Sequence, residues 1–187
     1  MSGYYPLNLK IENKRCVVVG GGKVAERKIK FLVEKGALLT VISPKITFLI
    51  EKLWRETKIS YLPVAYTSSL LKDAFLVIAA TDDRTINSRV AENANQLGIL
   101  VNVVDSPAES SFILPAILSR GDLTIAVSTA GKSPALARKI KEDLALIYCD
   151  EYGDLIEMIA LARERIKRKY PDFQERNKIW KRIMEEI

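Results

Sequence analysis

The chain has 187 residues, of which 48% are hydrophobic and 28% are charged, a balance typical of a globular protein with one or two domains. It contains no histidine, which excludes Ser-His-Asp and Cys-His catalysis and removes the commonest transition-metal ligand. Its formal net charge of +6 suits either nucleic acid or a polyanionic small molecule.

Strand and helix patterns alternate along the first half of the chain. The predicted strands are Lys14–Val19, Leu38–Ile42, Ile59–Pro63, Phe75–Ala80 and Leu100–Val104. The predicted helices are Val24–Lys35, Ile46–Glu56 and Thr85–Leu97, with one helical turn at Ser68–Leu71. This alternation predicts an α/β fold, a Rossmann-like parallel sheet with helices on both faces, whose strand order we take by analogy with doubly wound folds.

The junction between the first strand and the first helix is rich in glycine. Gly20, Gly22 and Ala25 have the spacing G-x-G-x-x-A. Gly20 allows a tight turn, Gly22 lets the backbone approach phosphates, and Ala25 keeps the helix close to the strand. Unpaired N–H groups and the positive end of the helix dipole meet here, so a dinucleotide is the leading ligand hypothesis. A glycine turn without a ligand is the alternative.

The second strand ends at Ser43-Pro44-Lys45, where an NAD-binding protein usually carries an acidic residue for the ribose hydroxyls. Here no Asp or Glu lies between Glu34 and Glu51. Ser43 can hydrogen-bond the ribose, and Lys45 can tolerate a 2′-phosphate. The residues alone therefore leave the choice between NAD and NADP open.

Two further strand ends carry carboxylates. The small residues before Thr81-Asp82-Asp83 would let the nicotinamide half of a dinucleotide pass close to the backbone, and the aspartates are better explained as helix caps than as catalysts. Asp105 is the candidate catalytic carboxylate, because partly apolar surroundings at a strand end would raise its pKa. The alternative is that Asp105 only forms the turn before Pro107.

The pattern changes after Asp105. Strands are predicted at Phe112–Pro115 and Leu123–Ser128, with a polar turn at Arg120–Asp122 between them. A helix is predicted from Ala135 to Tyr148, with Ser133 as its cap and Pro134 in its first position, and Asp154–Ile187 is predicted to be helical with a break at Tyr170–Asp172.

These patterns predict three regions. Residues 1–112 form an NAD-binding Rossmann domain, residues 113–150 a dimerisation region, and residues 151–187 a C-terminal helical region. A short strand pair with long helices can hardly form a compact core by itself, so we expect this part of the chain to pair with a second copy as a homodimer.

The sequence gives little evidence that the protein binds a metal, a nucleic acid or a membrane. Cys16 and Cys149 lie far apart without metal-ligand spacing, so we expect neither a disulfide nor a bound metal. The basic cluster Arg163–Lys169 is better explained as a solvated helix face than as a nucleic-acid site, because no recognition module accompanies it. No apolar run could span a bilayer, and Met1–Pro6 does not resemble a signal peptide, so we expect a cytoplasmic protein without a membrane partner.

Five segments together resemble the precorrin-2 dehydrogenase and sirohydrochlorin ferrochelatase family of sirohaem biosynthesis. They are VVGGGKVAERK at 18–28, AATDD at 79–83, NVVD at 102–105, SFILPA at 111–116 and IAVSTAGKSPALAR at 125–138. The resemblance implies NAD-dependent oxidation of precorrin-2 to sirohydrochlorin by a homodimer, and some members of the family also insert ferrous iron. No segment resembles the methyltransferase of larger sirohaem synthases, so we expect another protein to supply precorrin-2.

The resemblance also suggests roles for individual residues. It implies proton transfer by Asp105 and a dinucleotide site at the glycine loop and the end of the second strand. The predicted cofactor-binding residues are Gly20, Gly21, Gly22, Lys23, Val24, Ala25, Ser43, Pro44, Lys45, Thr81 and Asp82. The predicted substrate-binding residues are Ser128 and Thr129, in the loop that lines the family's tetrapyrrole cleft, together with Lys132 and Arg138. The positive charges of Lys132, Arg138 and Lys139 suit the carboxylates of precorrin-2.

Two functional hypotheses from different classes remain. The first is an oxidoreductase that acts on a CH–CH group of precorrin-2, with or without iron insertion. The second is a non-catalytic sensor or regulatory module that binds NAD, since a Rossmann fold alone does not establish catalysis. The sensor hypothesis explains the glycine loop but leaves Asp105 and the segment 128–137 without a role.

Overall fold

The computed structural model describes residues 3–186, which fall into two compact units, one up to Leu114 and one from Pro115 onward. Met1, Ser2 and Ile187, which the predicted three-part division includes, lie outside the described residues. That division, with boundaries after residues 112 and 150, stays a prediction. The two units are described separately below.

The first unit contains a sheet of five parallel strands in the order β3-β2-β1-β4-β5. The strands are β1 Arg15–Val19, β2 Leu38–Ile42, β3 Ser60–Leu62, β4 Leu76–Ala79 and β5 Leu100–Val103. The helices are α1 Lys23–Glu34, α2 Phe48–Arg55 and α3 Arg84–Gln96, with 3₁₀ turns at Ser68–Leu71 and Pro107–Glu109. The predicted Rossmann-like sheet is confirmed.

The central strand β1 is apolar from Cys16 to Val19 because both of its faces are covered there. Its alternate residues Cys16 and Val18 belong to one buried cluster, which also contains residues of α1 and α2 such as Ile29 and Ile50. Val17 and Val19 belong to the opposite cluster, with residues of α3 and the first 3₁₀ turn such as Val90, Ala94 and Leu71. The helices therefore lie on both faces of the sheet, as the sequence predicts.

The ends of the helices follow from local chemistry. Asp83 caps α3, since its carboxylate accepts hydrogen bonds from the N–H groups of Thr85 at 2.8 Å and Ile86 at 3.2 Å. This confirms the capping role predicted for the aspartate pair, and Asp83 is the member that fulfils it. Gly36, with φ +72°, follows the last turn of α1 in the left-handed region that glycine adopts most easily.

The second unit contains an antiparallel hairpin of β6 Ala116–Arg120 and β7 Leu123–Val127. Three helices follow the hairpin: α4 Pro134–Ile147, α5 Glu151–Lys169 and α6 Phe173–Glu185. The predicted cap of α4 is confirmed, because the Ser133 hydroxyl accepts a hydrogen bond from the Leu136 N–H and Pro134 occupies the first helical position.

One strand predicted near the start of this part of the chain is wrong. The strand predicted at Phe112–Pro115 lies instead at Ala116–Arg120, because the turn at Gly121 pairs Arg120 with Leu123 and sets the register of the whole hairpin. The carbonyl of Phe112 accepts a hydrogen bond from the Asn102 side chain at 3.0 Å and takes no part in a strand.

The helical stretch predicted from Asp154, with its break at Tyr170–Asp172, is confirmed as far as Glu185. Its first helix starts three residues earlier than predicted, at Glu151, and contains Gly153. A Cβ on Gly153 would stand 3.3 Å from the Gly121 backbone nitrogen, so this glycine lets α5 pack closely against the hairpin turn. Close packing, and not a helix stop, therefore explains the glycine at this position.

Within residues 3–186, every helix is either too short or too polar to cross a lipid bilayer.

The thiol of Cys16 gives the fold a pH dependence that can be measured. Burial in β1 raises the pKa of Cys16 to about 11 from an ordinary value of 9.0. The folded state therefore holds the neutral thiol more firmly than the unfolded state, so this contribution to stability is present below about pH 9 and is lost as the pH rises toward 11.

We expect the urea midpoint of the wild-type protein to fall more steeply between pH 9 and 11 than that of Cys16→Ala. Val18→Ala is the matched control, because Val18 lies in the same buried cluster and carries no ionisable group. It should be destabilised but keep the wild-type pH slope. Equal slopes for wild type and Cys16→Ala would contradict the linkage.

Candidate functional site

The carboxyl ends of four neighbouring strands meet at one edge of the sheet. The N–H of Gly20, after β1, donates to the Ile42 carbonyl at 2.9 Å. The N–H of Ala80 donates to the Val19 carbonyl at 2.8 Å, and the N–H of Val104 donates to Ala79 at 3.0 Å. The glycine loop, the loop after β2, the segment from Thr81 and the turn at Asp105 therefore lie at the edge where open parallel sheets bind ligands.

Two glycines let the loop after β1 pack directly against neighbouring backbone. Gly20 has φ +122°, and a Cβ at this position would stand 2.2 Å from the Ala80 carbonyl oxygen. A Cβ on Gly21 would stand 2.1 Å from the Lys45 carbonyl oxygen. The sequence predicted the turn at Gly20 but no packing role for Gly21, since the middle position of G-x-G-x-x-A is unspecified in the motif.

The third glycine has a different environment. A Cβ on Gly22 would meet no atom within 4 Å. Helix α1 begins after it without a side-chain cap, and within residues 3–186 the N–H groups of Lys23, Val24 and Ala25 have no recorded acceptor. Lys23 and Val24 are exposed, whereas Ala25 is buried against the core. This helix end fits a dinucleotide, because free N–H groups and the helix dipole favour the pyrophosphate and the space at Gly22 admits it.

The loop after β2 is held by its own serine. The Ser43 hydroxyl is buried and donates to the Lys45 carbonyl at 2.7 Å, so it fixes the loop that rests on Gly21. The predicted hydrogen bond from Ser43 to a ribose would therefore use the remaining acceptor capacity of the hydroxyl. Pro44 and Lys45 are exposed beside the glycine loop.

The segment after β4 is fixed by a residue that the sequence analysis missed. The side-chain oxygen of Asn87, in α3, accepts hydrogen bonds from the Thr81 N–H at 3.1 Å and the Thr81 hydroxyl at 2.8 Å. Its amide group donates to the Thr81 carbonyl at 3.0 Å. Asn87 is only 5% exposed, so its own amide needs hydrogen-bond partners. It finds them in the N–H and C=O groups of Thr81, which it pairs as a neighbouring strand would. Asp82, the residue after Thr81, is exposed.

Asp105 lies in a turn at the end of β5. It has φ +60°, and the following N–H, of Ser106, donates to the Val103 carbonyl at 3.2 Å. The side chain is exposed, so the apolar surroundings expected around Asp105 are not provided by residues 3–186. The residue therefore forms the predicted turn and also presents a carboxylate at the ligand-binding edge.

Lys28 is a further charged group near this carboxylate. Burial lowers its pKa, the charge of Arg27 lowers it further, and the charge of Asp105 acts in the opposite direction. The second turn of α1 thus brings a partly buried ammonium group within electrostatic reach of Asp105. The sequence analysis quoted Lys28 within the glycine motif but gave it no role.

The predicted substrate-binding residues belong to the second unit, where they share the loop after β7 and the start of α4. The Ser128 hydroxyl accepts from the Ala130 N–H at 3.1 Å, and the Thr129 hydroxyl accepts from the Ser133 N–H at 3.0 Å. Both hydroxyls therefore shape the loop. Lys132 and Arg138 are exposed, and neither forms a salt bridge within the described part of the chain.

The first unit matches a family profile described as "Putative NAD(P)-binding" over residues 7–116. This chain belongs to that family. A second profile, described as sirohaem biosynthesis protein central, matches residues 120–145, which include Ser128, Thr129, Lys132 and Arg138. The range matched by the NAD(P)-binding profile includes the glycine loop and the strand ends described above.

Curated relatives of this NAD(P)-binding protein carry the name sirohaem synthase. Siroheme synthase 3 of Aeromonas hydrophila is 38% identical over 181 residues, and the siroheme synthase of Nitrosospira multiformis is 39% identical over 186 residues. Each match covers 97% of this chain and 39% of the relative. The chain therefore spans about two fifths of the length of these relatives.

A solved structure of SirC, a precorrin-2 dehydrogenase, has the same fold. It matches with a TM-score of 0.82 and 29% sequence identity, and the match covers 96% of this chain and 89% of SirC. Together with the profiles and the curated relatives, this match confirms the resemblance to the sirohaem family that the sequence indicated.

The three loop glycines should respond differently to the same substitution. We expect Gly20→Ala and Gly21→Ala to lower the free energy of unfolding by about 1–3 kcal/mol each, because the new methyl group collides with backbone. Gly22→Ala should change it by less than about 0.5 kcal/mol. It should nevertheless weaken NAD binding about tenfold, or ~1.4 kcal/mol, because the methyl group occupies the space in front of the free N–H groups.

Urea unfolding measures the first effect and isothermal titration calorimetry with NAD the second. Gly22→Ala serves as the matched control for the other two variants. Equal destabilisation of all three variants would contradict the packing role of Gly20 and Gly21. Wild-type NAD affinity in Gly22→Ala would contradict the binding role of the space at Gly22.

Proposed function

We propose that this chain dehydrogenates precorrin-2 to sirohydrochlorin with NAD as the hydride acceptor, and that it does so as a homodimer. The observation that carries the proposal is the uncapped start of α1, open at Gly22, on the same sheet edge as the carboxylate of Asp105. An anion site for a dinucleotide and a group that can take a proton are the two requirements of such a reaction.

The dinucleotide would lie across the carboxyl edge of the sheet. The N–H groups of Lys23, Val24 and Ala25 would bind the pyrophosphate, with Gly20 and Gly21 holding the loop in place. Ser43, Pro44 and Lys45 would meet the adenosine ribose, and Thr81 with Asp82 would meet the nicotinamide half. When bound, NAD supplies a carbon that accepts a hydride.

The substrate carries many carboxylates, which favours basic contacts. Lys132 and Arg138 are exposed and free of salt bridges within residues 3–186, whereas the neighbouring Lys139 is paired with Asp143 at 2.6 Å. This ion pair raises the pKa of Lys139 and occupies its charge. Lys132 and Arg138 are therefore available to bind acetate and propionate groups, and the Ser128–Thr129 loop would position them.

Asp105 would take the proton. Dehydrogenation removes a hydride and a proton from the macrocycle, so a base must receive the proton while the hydride leaves with the cofactor. An exposed carboxylate at the sheet edge can accept it and return it to water. The partly buried ammonium group of Lys28 lies within electrostatic reach of this carboxylate.

Exposed apolar side chains support the homodimer. In the second unit Leu146 is 85% exposed, and Leu161 and Phe173 are each more than half exposed. Apolar side chains this accessible on three successive helices are typical of a surface that a second copy covers.

The first test is an anaerobic absorbance assay with enzymatically made precorrin-2 and NAD. We expect the sirohydrochlorin spectrum to develop only when both protein and NAD are present. Calorimetry with NAD alone measures cofactor binding separately. NAD binding without any turnover would favour the sensor hypothesis over the enzyme.

Replacement of the proposed base provides a sharper test. We expect Asp105→Asn to lower kcat about 10²–10⁴-fold while NAD binding stays within about twofold, because the amide cannot accept the proton. Asp73→Asn is the matched control, since Asp73 is also exposed and also has φ +60°, but lies at the opposite, amino edge of the same sheet. Equal activity of the two variants would remove Asp105 from the mechanism.

A further inference from the structure

Three side chains beside Asp105 form a closed group of hydrogen bonds. A guanidinium nitrogen of Arg84 donates to the Ser106 hydroxyl at 2.9 Å and lies 2.5 Å from a carboxylate oxygen of Glu109. The Ser106 hydroxyl donates to the same oxygen of Glu109 at 2.6 Å. We call this group the Arg84–Ser106–Glu109 clamp.

The clamp joins two of the strand ends that form the candidate site. Arg84 is the first residue of α3 and directly follows Asp82 and Asp83, after β4. Ser106 directly follows Asp105, after β5. The clamp therefore ties the segment proposed to meet the nicotinamide to the residue proposed to take the proton.

The middle of the clamp is buried and its periphery is not. Ser106 is 5% exposed, whereas the Arg84 side chain is 60% exposed and that of Glu109 is 28% exposed. Hydrogen bonds from Ser106 and Ser88 lower the pKa of Glu109, and the Arg84 charge lowers it further, so Glu109 stays an acceptor at neutral pH.

The loop that carries Asp105 is held at further points. The Ser110 hydroxyl accepts from the Val103 N–H at 2.9 Å and donates to the Ser106 carbonyl at 2.8 Å. The Ser111 hydroxyl accepts from the Val101 N–H at 2.8 Å. These bonds fix the return of the loop along β5. The Val104 N–H, which donates to the Ala79 carbonyl at 3.0 Å, ties the end of β5 to β4. The clamp adds a side-chain connection from the turn at Asp105 to the start of α3.

Asp105 itself makes no recorded hydrogen bond through its side chain among residues 3–186, and its backbone adopts φ +60°. The left-handed region is less favourable for Asp than for glycine, so contacts of neighbouring residues help to hold this conformation. Ser106 is the adjacent buried residue with side-chain partners, and it is the centre of the clamp.

We infer that Arg84, Ser106 and Glu109 are positioning residues, which hold the Asp105 carboxylate at a fixed place relative to the cofactor-binding segment after β4. This inference rests on the proposed function of Asp105. An error of about 1 Å in such a position can cost roughly 10²-fold in rate, so contacts that add little stability can still matter for turnover.

The test compares matched pairs of variants on α3 and in the loop. Arg84→Gln and Glu109→Gln break the clamp, and Arg89→Gln and Glu92→Gln make the same chemical changes at exposed positions of α3 outside it. We expect the two clamp variants to lower kcat about tenfold or more, with NAD affinity and melting temperature close to wild type, because an exposed ion pair contributes little stability. Arg84→Lys, which keeps the charge and an N–H donor, should recover most of the rate.

A double-mutant cycle separates positioning from general damage. If the clamp acts through Asp105, Arg84→Gln should cause no further loss in an Asp105→Asn background. An undiminished loss in that background, or wild-type kcat in Arg84→Gln alone, would overturn the inference.

Hydrogen–deuterium exchange of the peptide spanning 103–111 gives a readout that needs no substrate. Exchange should be faster in Arg84→Gln than in Arg89→Gln, and equal exchange would also overturn the inference. Absence of turnover by the wild-type protein would instead overturn the proposed function and the positioning role with it, while the exchange rates would still report whether the clamp holds the loop.

Discussion

The site depends on a contact between backbones that leaves no room for side chains. The loop after β1 lies so close to the Ala80 and Lys45 carbonyls that Gly20 and Gly21 have no acceptable substitute of larger size. This closeness follows from the parallel register, which aligns the ends of β1, β2 and β4 at one edge. The start of α1 is thereby presented at the middle of the sheet with its N–H groups free, and the remaining site residues are arranged around it.

Around that point the protein uses polar side chains mainly to fix backbone. Ser43 holds the loop after β2, Asn87 holds Thr81, and Ser106 links the turn after β5 to α3. Each of these three residues is buried. Ser43 and Asn87 bind backbone groups after a strand end, whereas the Ser106 hydroxyl binds the side chains of Arg84 and Glu109. The charges of Lys28, Lys45 and Asp105 are consequently attached to a fixed backbone frame, which the proposed hydride transfer would require.

Local sequence predicts the first unit well because its strands are buried on both faces and its glycines are required by close contacts. It predicts the second unit less well, since Phe112–Pro115 and Ala116–Arg120 are similarly apolar and only the pairing of Arg120 with Leu123 chooses between them. The strand ends and Asp105 could be found from the pattern. Asn87 and the Arg84–Ser106 contact could not, because a polar helix residue usually faces water and a bond across 22 positions leaves no local signal.

The serines that follow Asp105 also determine how the sheet ends. Strand β5 is an outer strand, and its free edge would offer N–H and C=O groups to any extended chain that met it. The hydroxyls of Ser110 and Ser111 already bind the Val103 and Val101 N–H groups, and the Ser111 N–H donates to the Val101 carbonyl. The β5 edge is therefore closed by the chain's own hydroxyls and backbone, which leaves fewer free groups there for an extended chain to pair with.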